Sequence, residues 1–323
     1  MSKYSKIYFI GIGGIGMSAI ARYYKFKGYP VAGYDRTPSD LTHALEKEGI
    51  DIHYKDDPDY IPKDVASTLV VYTPAIPADL QELVYVREHG YTLVKRSRML
   101  GELAEGQTCL AVAGTHGKTT TSTLVAHILT ESGKGCSAFL GGISKNYDTN
   151  LLTSHTPTIV AEADEFDRSF LQLHPAIAAI TAMDADHLDI YGTLEEYRKA
   201  FKAFASQVSR TLIVKLGLDI TAEDTNARIL HYSYDNPDAD YHAANPRPDE
   251  AGHYIFDLVY PGGVIGNIRV GIPGWVNVEN SVAAAAVCLC HGVAPEAIKE
   301  AIGTYSGVRR RLDVHLNTPH LSY

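Results

Sequence analysis

The chain has 323 residues, 38 of them acidic and 29 basic, for a net charge of -9. That length allows about two domains of ~150 residues, each able to bury a core, and an acidic balance without a long basic block argues against a nucleic-acid partner. The longest apolar run, Val282 to Cys290, is nine residues, against the ~20 a bilayer span requires, and the opening MSKYSK has no signal-peptide apolar segment. A cytoplasmic protein without a membrane partner is expected.

Short β-rich apolar segments alternate with helical patterns. Ile7–Ile10, Val31–Tyr34, Thr68–Tyr72 and Thr92–Val94 are the predicted strands of a first unit, and the alternation implies βαβ crossovers and a parallel sheet. The first strand runs into YFIGIGGIGMSAIA, with Gly11, Gly13 and Gly16 spaced GxGxxG and Asp35 nineteen residues beyond the last glycine. Glycines there permit a tight turn and bring backbone N–H groups and a helix N-terminus to a diphosphate. NAD, FAD and a UDP-sugar all satisfy that geometry, as does a turn that binds nothing.

A second series of strands, Cys109–Ala113, Thr158–Ala161, Ile177–Thr181 and Leu212–Val214, follows the loop AEGQ, which places a domain boundary near residue 105. Its first strand opens into VAGTHGKTTT. The usual P-loop expression is not met, because Val112 stands five residues before Gly117. The mechanism is nevertheless the same: N–H groups of the turn cradle phosphates, Lys118 reaches the β/γ-phosphates, and the Thr119 hydroxyl can ligate Mg²⁺. An ATP- or GTP-binding site is the reading. Magnesium also wants hard oxygen ligands near the ends of neighbouring strands. Two clusters offer them: Glu162, Asp164, Glu165 and Asp167, of which Glu162 is preferred, and Asp184, Asp186 and Asp189 around His187.

Farther along, TLEEYRKAFKAFASQ places Leu194, Tyr197, Phe201, Phe204 and Ala205 on one helical stripe. Asp235–Gly263 reads as loops and short antiparallel strands, and NVENSVAAAAVCLCHG as a buried helix ending at Gly292. The four cysteines, Cys109, Cys136, Cys288 and Cys290, have neither disulfide-framework nor zinc spacing and read as small buried hydrophobes. The sequence carries no signal for oligomeric state.

A diphosphate loop and an Mg-ATP loop in one chain are unusual for a dehydrogenase. The segments IYFIGIGGIGMSAIA, VVYTPAIP, VAGTHGKTTT, AEADEFDRSFL, DADHLDIYGTLEEY, PGWVNVENSVAAAA and SGVRRRLD occur in the order seen in the Mur ligases, and the set most resembles the alanine-adding branch of that family. The resemblance implies an α/β protein in which residues 1–105 form a Rossmann-like parallel-sheet domain for UDP-N-acetylmuramate and residues 106–316 a P-loop-type ATP-binding domain. Residues 317–323 would begin the linker to the family's third, Rossmann-like domain, which this chain lacks; it is therefore expected to be part of a longer enzyme and inactive alone.

The site residues follow from the same resemblance. Gly11, Gly13, Gly14, Ile15, Gly16 and Asp35 would address the UDP-sugar. Gly114, Thr115, His116, Gly117, Lys118, Thr119 and Thr120 would form the ATP loop, with Asn280 reading the adenine. Thr119, Glu162 and His187 would hold Mg²⁺, and Lys118, His187, Arg310 and Arg311 would serve catalysis. The implied reaction is ATP-dependent joining of L-alanine to UDP-N-acetylmuramate through an acyl phosphate. A murein tripeptide ligase and a non-catalytic UDP-sugar/ATP module are the alternatives. Two positions depart from the family pattern: Val276 stands where a histidine often flanks the adenine, and Phe201 where sister ligases carry a modified lysine.

Overall fold

The computed structural model describes residues 3–186, 188–311, 317–318 and 321–322. The chain forms two compact units, Met1–Leu103 and Ala104–Tyr323. Among the described residues no helix is long and apolar enough to cross a membrane.

The first unit alternates β1 (Lys6–Ile10), α1 (Ile15–Phe26), β2 (Val31–Tyr34), α2 (Asp40–Lys47), β3 (Asp51–His53), β4 (Thr68–Tyr72), α3 (Gln81–Glu88), β5 (Thr92–Lys95) and α4 (Arg96–Ala104). The strands pair in parallel in the order β3-β2-β1-β4-β5. Ile7 to Ile10 are buried without alternation, as a central parallel strand covered on both faces must be. The strand order reverses beside β1, so the glycine turn leaving β1 opens at the crevice where such sheets bind ligands. Four of the five strands lie where the apolar runs put them. The fifth, β3, escapes a hydropathy reading because it is a three-residue edge strand of sequence DIH.

The second unit contains β6 (Thr108–Ala113), α5 (Lys118–Glu131), β7 (Ser137–Ser144), β8 (Thr149–Leu152), β9 (Thr158–Ala163), β10 (Ile177–Ile180), α6 (Leu188–Tyr191), α7 (Leu194–Ser206), β11 (Thr211–Lys215), β12 (Arg228–Ser233), β13 (Tyr241–Pro248), β14 (Tyr254–Tyr260), β15 (Gly263–Arg269), α8 (Val276–Cys290) and α9 (Pro295–Thr304). A short ladder, β16 (Asn317–Thr318) with β17 (Leu321–Ser322), follows. Ten strands form one mixed sheet, β15-β14-β13-β12-β11-β10-β6-β9-β7-β8. Its centre, from β12 through β7, is parallel; β13–β15 form an antiparallel meander of eight-, seven- and seven-residue strands, longer than expected.

The helix α8 is buried along its alanine run and shares one core with Leu124, Val125, Ile128 and Leu129 of α5. On α7 the stripe Tyr197, Phe201, Phe204 and Ala205 is buried, but Leu194 is exposed. Leu194 opens the helix just after its Thr193 cap. Cys109, Cys136 and Cys288 are buried; burial pushes the first two thiols up to about 12, which suits inert packing groups.

Candidate active site

In the second unit, two glycines shape the turn between β6 and α5. Gly114 has φ +136°, and a Cβ there would lie 2.7 Å from the Ala182 nitrogen; Gly117 is left-handed at φ +79°. The turn is pinned to the end of β10: the Thr181 hydroxyl donates to the carbonyls of Ala113 and His116, and Thr115 N–H donates to Ala182 O at 3.1 Å. The Thr115 hydroxyl also donates to Asp184 O and meets the Tyr197 hydroxyl at 2.9 Å. No side chain caps α5, which starts at Lys118. The helix therefore presents its first N–H groups and positive dipole end at the turn.

The charged groups converge on that helix start. Lys118 Nζ donates to Gly114 O at 2.7 Å and to Glu165 Oε1 at 2.8 Å, with Glu165 Oε2 at 2.7 Å. The Thr119 hydroxyl donates to Glu162 Oε1 at 3.2 Å, while the buried Glu162 Oε2 has no hydrogen-bond partner. Burial pushes the Glu162 carboxyl above its ordinary value, against the opposing pull of Thr119, Lys118 and Arg311. A buried carboxylate oxygen left unpaired is costly, and beside a threonine hydroxyl it is a donor set suited to a hard divalent cation. Thr119 and Glu162 thus fit Mg²⁺. His187, the third metal residue of the sequence reading, lies outside the described residues; its neighbour Asp184 faces the exposed His116 at 3.6 Å.

The arginine segment reaches this site along β7. Lys145 N–H donates to Gly307 O and Arg309 N–H to Ile143 O, both at 2.9 Å, and Ser144 bridges Val308. Asn146 closes the turn with bonds to Thr304 O and Ser306 N–H, and Arg309 pairs with Asp148. Arg310 is left-handed at φ +63°, and the charge of Arg311 is felt at Glu162. Asn280 lies beneath the loop: its Oδ1 accepts from the Thr121 hydroxyl at 3.3 Å, its Nδ2 donates to Asn277, and it would meet a Cβ at Gly117.

In the first unit, Gly11 turns at φ +85° after β1, and Gly14 precedes α1, whose first residue is the exposed Ile15. Gly13 N–H donates to Asp35 Oδ2 at 2.6 Å. A Cβ at Gly16 would lie 2.8 Å from Arg96 Nη1, so the guanidinium rests directly on the start of α1. Behind the loop, Tyr8 donates to Glu82 Oε2 at 2.6 Å and lies 2.7 Å from His53 Nε2. Glu82 is fully buried, and burial pushes its carboxyl up to about 7.

Residues 6–108 match the catalytic domain of the Mur ligase family and residues 112–288 the Mur ligase middle domain. The chain belongs to the Mur ligase family. It is 49% identical over 325 residues to the UDP-N-acetylmuramate--L-alanine ligase of Parabacteroides distasonis, covering 98% of this chain and 70% of that protein. The ligase of the same name from Phocaeicola vulgatus is 50% identical over 313 residues, 95% of this chain and 68% of that one. Among solved structures, the UDP-N-acetylmuramate-alanine ligase of Thermotoga maritima superposes with a TM-score of 0.85 at 29% identity, covering 98% of this chain and 72% of that chain. The UDP-N-acetylmuramate:L-alanyl-gamma-D-glutamyl-meso-diaminopimelate ligase of Neisseria meningitides has a TM-score of 0.84 at 23% identity, covering 95% of this chain and 100% of that chain, a likeness of fold alone.

Within this Mur ligase frame, Phe201 is a core residue, 5.2 Å from the Phe170 ring and 5.1 Å from Tyr197. Val276 and Trp275 are exposed at the start of α8. Three contacts at the loops were not legible in the sequence: the pairing of Lys118 with Glu165, the Thr181 brace, and Arg96 on Gly16. Glu165 was visible only as one of four acids after a strand, and Arg96 only as a basic residue following β5.

Proposed function

We propose that this chain carries the UDP-N-acetylmuramate site and the ATP site of an ATP-dependent ligase that adds L-alanine to UDP-N-acetylmuramate in peptidoglycan precursor synthesis, in the cytoplasm. The observation that carries this reading is the Lys118–Thr119 turn facing the unpaired oxygen of Glu162, in a chain 49% identical to an alanine-adding ligase over 98% of its length.

A carboxylate does not condense with an amine unaided. The lactyl carboxylate of the UDP-sugar attacks the γ-phosphorus of ATP and ADP leaves; the L-alanine amine then attacks the acyl carbon of the acyl phosphate, the C–N bond forms as the C–O bond to phosphate breaks, and phosphate and a proton are released. In this reaction the protein aligns groups and offsets charge. The loop from Gly114 to Thr120 wraps the phosphates, Lys118 contacts the β/γ-phosphates, and Arg310 and Arg311 offset phosphate charge. Thr119 and Glu162 would hold Mg²⁺ and His187 would support a second metal near the reacting carboxylate, the metal offsetting phosphate charge. Asn280 reads the adenine. Gly11 to Gly16 and Arg96 address the diphosphate of the UDP-sugar, with Asp35 fixing the turn through Gly13 N–H.

Calorimetric titration tests the reading. UDP-N-acetylmuramate and Mg-ATP each bind and NADH does not; NADH binding without UDP-sugar binding overturns it.

A further inference from the structure

The Lys118 ammonium has three N–H donors, of which two make hydrogen bonds, to Gly114 O at 2.7 Å and to Glu165 Oε1 at 2.8 Å, while Glu165 Oε2 lies 2.7 Å away as the other half of the ion pair. Glu165 is only 1% exposed, whereas Lys118 retains 14% exposure at the turn. An anion that approaches Lys118 therefore competes with these partners for the ammonium. Gly114 O belongs to the turn itself, so the exchangeable partner is the carboxylate.

The segment bearing that carboxylate is built to hold it there. The Glu165 carbonyl accepts from the Tyr191 hydroxyl at 2.6 Å and from Arg168 N–H at 3.0 Å. Phe170 N–H reaches back to Asp164 O at 2.8 Å. Asp167 and Arg168 are both left-handed, at φ +52° and +56°, a conformation that costs non-glycine residues on the order of 1 kcal/mol each. Arg168 also lies over the Tyr191 ring, 5.3 Å from its centroid. Buried ion pairs contribute little net stability over apolar packing, so stability alone gives no reason to strain two residues around this one.

We propose that Glu165 is an internal stand-in for the nucleotide's terminal phosphates, a latch that holds Lys118 until a phosphate of ATP exchanges for it. The inference rests on the ATP-site reading above and adds a positioning residue to it. Its consequence is a lowered apparent affinity: while the latch is closed the phosphate subsite is not competent, and the observed dissociation constant rises by the inverse of the open fraction.

The test is calorimetry with Mg-ATP and with AMP on wild type, Glu165→Gln and Tyr191→Phe. Glu165→Gln keeps the shape and removes the charge that competes for Lys118; its Kd for Mg-ATP falls by about three- to tenfold, while AMP, which lacks the β- and γ-phosphates, binds as to wild type. Tyr191→Phe loosens the segment without altering its charge and moves Mg-ATP affinity in the same direction by a smaller factor. Unchanged or weaker Mg-ATP binding by both variants overturns the latch, as does an equal gain for AMP. Should Glu165→Gln not fold, Tyr191→Phe decides by the same criteria. Wild type that binds no Mg-ATP removes the ATP-site reading itself, and the latch with it.

Discussion

The two glycine turns use one device, a parallel strand running through glycines into a helix N-terminus, yet they differ in what faces it. The first turn has a cation supplied from elsewhere in its unit, Arg96 resting on Gly16, and a carboxylate, Asp35, on a backbone N–H. The second carries its cation within the motif, and its carboxylate, Glu165, takes that cation directly. The difference teaches that a glycine pattern specifies a diphosphate-shaped turn, while the charged groups around it decide which anion is bound. It also explains why GxGxxG did not by itself distinguish a dinucleotide from a UDP-sugar.

The largest effect that separates the turns is steric. Gly114→Ala sets a Cβ 2.2 Å from Thr181 Oγ1 and 2.7 Å from backbone at φ +136°, and is expected to cost about 4 kcal/mol. Gly13→Ala meets only the ends of Thr42 and Asp35, at 2.7 and 2.8 Å, and is expected to cost about 1–2 kcal/mol because those side chains can shift. Urea denaturation of both variants ranks them; equal losses would mean that the turns are equally constrained.

The buried acids sharpen the comparison. Glu82 is bonded to Tyr8 and lies against His53, Asp56 and Asp57, and its carboxyl is raised from 4.5 to about 7. The folded chain keeps a proton that the unfolded chain releases, so this group's contribution to stability falls as pH rises from 4.5 to about 7 and is level above, by about 2–3 kcal/mol. Glu82→Gln removes that fall, and the difference between wild-type and variant denaturation midpoints at pH 5 and pH 8 reads it; a pH-independent difference would contradict it. Glu162, by contrast, keeps an unpaired oxygen. Glu162→Ala is expected to weaken Mg-ATP by about tenfold and metal-free ATP by less, measured by calorimetry with and without a chelator. Equal losses would mean that Glu162 is not a metal ligand.

Much of the fold was legible because parallel strands buried on both faces must be apolar runs, as in Ile7–Ile10 and Cys109–Ala113. Where a strand carries polar or small residues the signal fades. The strand β7 carries two glycines and two serines, SAFLGGIS, and β12 reads RILHYS, with polar residues at both ends. The phosphate turn was legible from residue order alone, since strand, glycines, Lys118 and Thr119 are consecutive. Its partners were not: Glu165 reaches Lys118 across 47 positions, beside two consecutive left-handed residues, Asp167 and Arg168, of which only the aspartate has a propensity for that region. The same holds for Asp148, which meets Arg309 161 positions away.

The most direct test of two turns with two different ligands is a reciprocal titration of Lys118→Ala and Arg96→Ala with Mg-ATP and UDP-N-acetylmuramate. Lys118→Ala loses Mg-ATP binding and keeps the UDP-sugar, while Arg96→Ala weakens the UDP-sugar by about tenfold and keeps Mg-ATP. Loss of both ligands in either folded variant, or of the opposite ligand, would contradict the assignment.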